Sequence, residues 1–130
     1  MEYKTIQLGH DSGVAMITLN RPEKRNAISF QLVEELFAAL DEIAQSASQV
    51  VILTGQGKAF CAGLDLDELK SLLGKTHEEN VKDSARTAHL FRRLYDFPRP
   101  TIAAVNGAFP TRQFAAASAR RSIAPLGVRP

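Results

Sequence analysis

Residues 50–73 constrain this chain more than any other stretch. Val50-Val51-Ile52-Leu53-Thr54 is apolar at four successive positions, which predicts a strand buried on both faces, as in a parallel sheet covered by helices. It runs into a loop, 55–64, that holds Gly55, Gly57 and Gly63, and a helical segment follows over 65–73. A glycine turn between a buried strand and a helix brings free backbone N–H groups to the carboxyl end of a sheet. Such donors can hold a negatively charged oxygen. The same turn is also compatible with a packing role alone, and spacing by itself does not decide between the two. Two nucleotide-binding patterns are excluded. Gly55-Gln56-Gly57-Lys58 lacks the GxxxxGK[ST] order of a phosphate-binding loop, and Gly55, Gly57 and Gly63 do not fit GxGxxG.

The flanking segments alternate in kind. Residues 3–9 and 14–20 read as strands, and Asp11-Ser12-Gly13 between them signals a hairpin. The loop 21–28 carries Arg21, Lys24 and Arg25. Ser29 can cap a helix running to about Ala47, with Leu32, Val33, Leu36, Phe37, Leu40, Ile43 and Ala44 on one side and Glu34, Glu35, Asp41 and Glu42 mostly opposite. Gly74 to Asn80 reads as a polar loop. A second amphipathic helix is expected over about 80–96, with Val81, Ala85, Ala88, Phe91 (or Leu90), Leu94 and Tyr95 inward, stopped by Phe97-Pro98-Arg99-Pro100. Thr101–Val105 is a further short buried strand and Asn106-Gly107 a turn. The order is that of an α/β fold.

Charge divides the chain at the same place. Met1 to Gly107 holds 12 Lys/Arg against 14 Asp/Glu, whereas Ala108 to Pro130 holds four arginines and no acid. The basic pI is a property of the tail, and a nucleic-acid-binding body is not indicated. The tail shows no strand pattern, and propensity allows a short Ala-rich helix over about 112–122. The apolar runs are too short to span a bilayer and the first residues do not form a signal peptide. The one cysteine, Cys61, has no partner for an internal disulfide, so a cytoplasmic compartment is expected. His10, His77 and His89 share no ligand-like spacing, and no metal site is expected. Cys61 reads as a small packing residue rather than a nucleophile.

Three separated segments carry a resemblance. Arg21-Pro22-Glu23-Lys24-Arg25-Asn26-Ala27-Ile28 resembles the RPxxxNA(L/I) loop of the enoyl-CoA hydratase/isomerase (crotonase) family. Val51–Gly55 with Lys58–Leu66 is similar to its ILTGxGxAFCAGxDL, and Pro98–Gly107 to its KPxIAAVNG. The resemblance covers residues 1–107. It implies a crotonase-like ββα spiral core, here truncated, and an acyl-CoA thioester as substrate, with hydration of an enoyl-CoA, a lyase reaction of fatty-acid metabolism, as the default chemistry and isomerisation as another. No separate cofactor is implied, because coenzyme A is part of the substrate. By that resemblance the backbone N–H of Leu64 is the first oxyanion donor, and Gly63 permits close approach. A helix beginning near Asp65 adds partial positive charge. Ala62, Asp65 and Leu66 border the thioester, and Lys24, Arg25 and Ala27 belong to the wall that holds the coenzyme A nucleotide. Asp65, Asp67 and Glu68 also read simply as acids favoured by the first turn of a helix.

The tail departs from the family pattern. Where xAxGGGxE is expected, the chain has Ala108-Phe109-Pro110-Thr111-Arg112-Gln113-Phe114-Ala115. Arg112 stands at the second donor glycine and Ala115 at the first catalytic glutamate. A second carboxylate and the helices that build the family's homotrimer, or dimer of trimers, are expected beyond Pro130, which puts both activity and assembly in doubt. Two explanations are open for residues after about Gly107: a segment read out of frame, or a divergent member with a natural short tail. A catalytically inactive fragment that keeps part of the coenzyme A site is the alternative function.

Overall fold

A computed structural model describes residues 2–107 and 123–125 of the 130-residue chain. Expectations for the tail at 108–122 and 126–130, including the Ala-rich helix, fall outside the described residues. Strand β1 (Ile6–Asp11) pairs antiparallel with β2 (Val14–Leu19), with Asp11 opposite Val14. The two residues between them, Ser12 and Gly13, have φ of 50° and 81°. That is the left-handed pair of a type I′ hairpin turn, whose twist suits the strands it joins.

Helix α1 (Phe30–Ala44) is capped as the sequence predicts. Ser29 is extended, and its hydroxyl accepts from the Leu32 N–H at 3.1 Å. The helix stops at Ala44, short of the expected Ala47, because Arg99 reaches its carboxyl end. That guanidinium donates to the carbonyls of Ile43, Ala44 and Ser46, satisfying orphan acceptors with a cation at the favourable end of the dipole. β3 (Val50–Gly55) then lies parallel to β2, and β4 (Thr101–Val105) parallel to β3. Between them come α2 (Leu66–Ser71), a 3₁₀ turn over Leu72–Gly74, and α3 (His77–Tyr95).

Several expectations are corrected here. Residues 74–80 are not all loop. Thr76 accepts from the Glu79 N–H while the Glu79 carboxylate accepts from the Thr76 N–H, a reciprocal capping box that starts α3 at His77. Of the apolar positions expected to face inward, only the carboxyl-terminal ones do. Leu90 is buried with Phe91 and Leu94 packed against the core, whereas Val81 is 53% exposed and Ala85 and Ala88 are also exposed. Glu35 does not join the solvent side of α1 but is buried. Its carboxylate accepts from the Lys4 and Thr5 N–H groups and from the Thr5 hydroxyl at 2.7 Å. Those amides are thereby satisfied outside the sheet ladder, and β1 begins at Ile6 rather than at residue 3. Residues 123–125 of the tail form a short strand, β5 (Ile123–Pro125), which pairs parallel with β4. Edge pairing, not a local apolar pattern, defines it.

The sheet order β1-β2-β3-β4-β5 never reverses. Crossovers of one hand in such a sheet place their helices on one face. α1 and α3 pack against each other there, tied by Arg86 to Glu34 at 2.7 Å and Arg93 to Asp41 at 2.7 Å. β3 is therefore not buried on both faces as expected. Val51 is buried under the helices with Ala15, Ile17 and Leu19, while Ile52 and Ile102 are half-exposed beside Met16 on the other side. The core between sheet and helices centres on Ile6, Ile17, Leu32, Leu40, Ile43, Phe60 and Phe97. Among the described residues no helix is long and apolar enough to cross a membrane.

Glu35 is a buried acid that joins α1 to the start of β1. Replacing it with Ala leaves the Lys4 and Thr5 amides unpaired and is expected to lower stability by about 2–3 kcal/mol. Urea denaturation checks this; a loss under about 0.5 kcal/mol, the range of ordinary surface changes, would show that the carboxylate does not anchor the strand.

Candidate functional site

Two loops meet at the carboxyl ends of β2 and β3. The first, residues 20–28, is folded by its own backbone and by one asparagine. Pro22–Lys24 forms a 3₁₀ turn, after which Arg25 and Asn26 take φ of 51° and 56°. Asn26 is fully buried. Its Oδ1 accepts from the Arg21 N–H at 2.8 Å, and its Nδ2 donates to the carbonyls of Gln56 (2.9 Å) and Ala59 (2.8 Å) in the second loop. Those local bonds are what hold a non-glycine residue in the left-handed region.

The second loop, 55–65, is gripped from the other side by Asn106 at the end of β4. Asn106 Oδ1 accepts from the Gly55 N–H at 3.1 Å and Nδ2 donates to the Gly57 carbonyl at 2.9 Å. Gly55 is obligatory because a Cβ there would lie 2.6 Å from the Phe60 carbonyl oxygen and 2.7 Å from that of Ala59. Beyond Phe60 and Cys61, both fully buried, Gly63 turns with φ of 91°.

The loops are then joined at one point. The Ile28 N–H donates to the Gly63 carbonyl at 2.7 Å, and the Asp65 N–H donates to the Ile28 carbonyl at 2.9 Å. This is an isolated parallel bridge between Ile28 and Leu64. The residue flanked by both bonds of such a bridge turns its own N–H and C=O away from the partner chain. Among the described residues the Leu64 N–H has no acceptor.

Leu64 lines a cleft of about 470 Å³. Lys24, Arg25 and Ala27 from the first loop line it, as do Ala62 and Asp65 from the second and Leu66 at the start of α2. Gly63 lies just behind, buried, with its carbonyl in the bridge to Ile28. Glu23, Asp67 and Lys70 also line the cleft. Sequence reasoning missed Glu23 and Lys70 and read Asp67 only as a first-turn acid. For Lys70 the available signal was its position one turn after Leu66 on the same helix. Lys24 and Asp67 face each other at 3.5 Å, both well exposed.

Asp65 is the buried acid of the site, 4% exposed. Its Oδ1 accepts from the Asp67 N–H at 2.7 Å and, more distantly, from the Glu68 N–H, and its Oδ2 accepts from Arg21 Nη2 at 2.8 Å. Arg21 Nη1 also donates to the Ala27 carbonyl at 2.6 Å. Asp65 is therefore the N-cap of α2 rather than a residue of its first turn. Burial pushes its carboxyl up, but the Arg21 hydrogen bond, the Asp67 and Glu68 N–H groups and the Arg21 charge together hold it below the usual carboxylate range. The capping also uses the first amides of α2, a helix of only six residues, so the partial positive charge expected from that helix is small. Burial pushes the Cys61 thiol up, only partly offset by the Gly63 N–H that its Sγ accepts at 3.4 Å.

A family model for enoyl-CoA hydratase/isomerase matches residues 9–115. The chain belongs to the enoyl-CoA hydratase/isomerase family. A Thermus thermophilus relative named as an enoyl-CoA hydratase is 44% identical over 103 residues, covering 78% of this chain and 40% of its own length. Rat enoyl-CoA delta isomerase 2 is 33% identical over 106 residues, 82% of this chain and 27% of that protein. The crystal structure of an enoyl-CoA hydratase from Shewanella pealeana superposes with a TM-score of 0.79 at 30% identity, over 82% of this chain and 40% of that one. An enoyl-CoA hydratase/isomerase from Xanthobacter autotrophicus gives 0.77 at 34% identity, over 82% and 40%. The fold is crotonase-like, and the chain spans about two-fifths or less of the length of these relatives.

Two outcomes follow from the electrostatics of the second loop. Asp65 has a depressed folded-state pKa, so its contribution to stability is fully present above the ordinary value near 3.9 and is lost as pH falls through the lower folded value. Denaturation midpoints from pH 7 down to about 2 are expected to separate wild type from Asp65→Asn at neutral pH and to draw together below about pH 4; curves that stay parallel throughout would contradict the assignment. Cys61 is expected to resist thiol reagents at pH 7–8 in the folded chain and to react promptly in denaturant, and fast labelling under native conditions would show that the thiol is accessible after all.

Proposed function

We propose that the cleft between the two loops is the front half of an acyl-CoA cradle, with the Leu64 N–H as a donor to the thioester oxygen. The observation that carries this is the Leu64 amide: the Ile28 bridge turns it away from the chain that fixes it, and it has no acceptor among the described residues. Lys24 and Arg25 on one wall supply cations for the nucleotide phosphates, and Ala27 and Ala62 leave room at the backbone. Leu66 and Asp65 border the acyl end. An enolate oxygen gains more from a fixed donor than the neutral carbonyl it replaces, so the amide favours loss or gain of a proton at the carbon next to the thioester. That chemistry is common to enoyl-CoA hydration and to double-bond isomerisation, and hydration of an enoyl-CoA is the default reading. Coenzyme A enters as part of the substrate, and the reading calls for no separate cofactor.

A second reading, a binding fragment without turnover, is favoured by two residues. The positions at which the family resemblance expects the other glycine donor and a catalytic glutamate hold Arg112 and Ala115. Water addition needs one group to activate water and one to protonate carbon, and neither is supplied by the residues that line the cleft in a defined catalytic geometry.

Acetoacetyl-CoA, whose enolate absorbs in the ultraviolet, separates these ideas. The chain is expected to raise the enolate fraction on binding, and Leu64→Pro, which removes the N–H, to reduce that stabilisation by about 10²–10³-fold, with Leu64→Ala, which keeps the N–H and loses the side chain, as the control that stays near wild type. Equal behaviour of the two proteins would sink the donor assignment. Crotonyl-CoA hydration by the 130-residue chain is expected to be little above background, and measurable turnover would decide against the fragment reading.

A further inference from the structure

We propose that Arg21 is a charge-balancing positioning residue for the Leu64 oxyanion site, acting by neutralising the buried carboxylate of Asp65. This rests on the oxyanion reading of the cleft and deepens it. The difficulty it resolves is electrostatic. Asp65 follows Leu64 directly in the chain, lines the same cleft and is 4% exposed. A bare carboxylate there would oppose any negative charge developing at the Leu64 amide, in a setting where water screens poorly. The cap bonds from Asp67 and Glu68 fix the carboxylate but carry no net charge.

The compensating cation comes from far away in sequence. Arg21 meets Asp65 Oδ2 at 2.8 Å, with the two side chains only 16% and 5% exposed. Glu23, Arg25 and Lys70 also line the cleft, but none of them is paired with Asp65. Glu68 Oε1 accepts from the Phe30 N–H at 3.1 Å, and Asp67 pairs with Lys24 at the exposed rim. Among the described residues, Arg21 is the ion-pair partner of Asp65. It does not itself line the cleft, and its Nη1 donates to the Ala27 carbonyl. The guanidinium thus converts an anion beside the site into a neutral pair without occupying ligand space.

The test uses the full chain and two probes, free CoA and acetoacetyl-CoA. Arg21→Gln removes the charge and is expected to lower the bound enolate fraction by about tenfold to a thousandfold, the range one nearby charge produces in an acid dissociation constant. Free-CoA affinity, read by calorimetry, is expected to hold. Arg21→Lys is expected to retain most of the enolate. The deciding variant is Arg21→Gln with Asp65→Asn, which removes both charges while Asn keeps the helix cap; it is expected to restore the enolate. A merely structural Arg21 would give a double variant no better than Arg21→Gln, and that result overturns the proposal, as does an Arg21→Gln enolate equal to wild type. A wild-type chain that binds CoA yet forms no enolate overturns the oxyanion reading itself and this inference with it, an outcome visible before any variant is made.

Discussion

The bridge between Ile28 and Leu64 is the contact on which the site depends. Two backbone hydrogen bonds, from Ile28 to Gly63 and from Asp65 to Ile28, fix the plane of the intervening peptide. Everything else in the region positions one or other side of that bridge. Asn26 sets the first loop and holds the second, Asn106 holds the second from the end of β4, and Ser29 begins α1 directly after Ile28. Because the bonds are made by main chain, the side chains at 28 and 64 can vary without loss of the bridge.

The sheet explains why the loops converge. With the strand order unreversed, β2, β3 and β4 run in the same direction and release their loops at the same edge. The helices occupy one face, and the core lies between them and the sheet. The site is therefore a property of strand direction and short loops rather than of the helices, whose part is to close the core and, in α2, to seat Asp65.

Much of this was legible in the sequence because it rests on local chemistry. The Ser29 cap, the Ser12-Gly13 turn and the glycines around Phe60-Cys61 each declare a backbone conformation within a few residues. The cleft residues were legible as two motifs, at 24–27 and at 62–66, which the family resemblance brings to one ligand. What escaped depends on contacts between distant segments. Helical periodicity could not show that Glu35 turns to the amides of Lys4 and Thr5, nor that the amino-terminal half of α3 extends past the core. The apolar run 50–54 suggested cover on both faces, but burial of the second face depends on the order of strands, which no local pattern records. Arg21 and Asp65 were both in view as members of separate motifs, 44 residues apart; their pairing is a fact of the folded chain. The Thr76–Glu79 box was local and readable, and was obscured by the polarity of the segment around it.

Asn106 gives the loop clamp a temporal aspect. Its carboxamide grips Gly55 and Gly57 from a strand some fifty residues later in the chain, and a Cβ on the adjoining Gly107 would fall 2.0 Å from the Lys58 oxygen. The glycine loop cannot reach its final shape until β4 has docked beside β3, a long-range closure that is slow compared with forming a hairpin or a helix. An intermediate holding only the β1–β2 hairpin and α1 would have much of the core without the finished loop, so the loop's final shape reports the arrival of β4 rather than the collapse that precedes it.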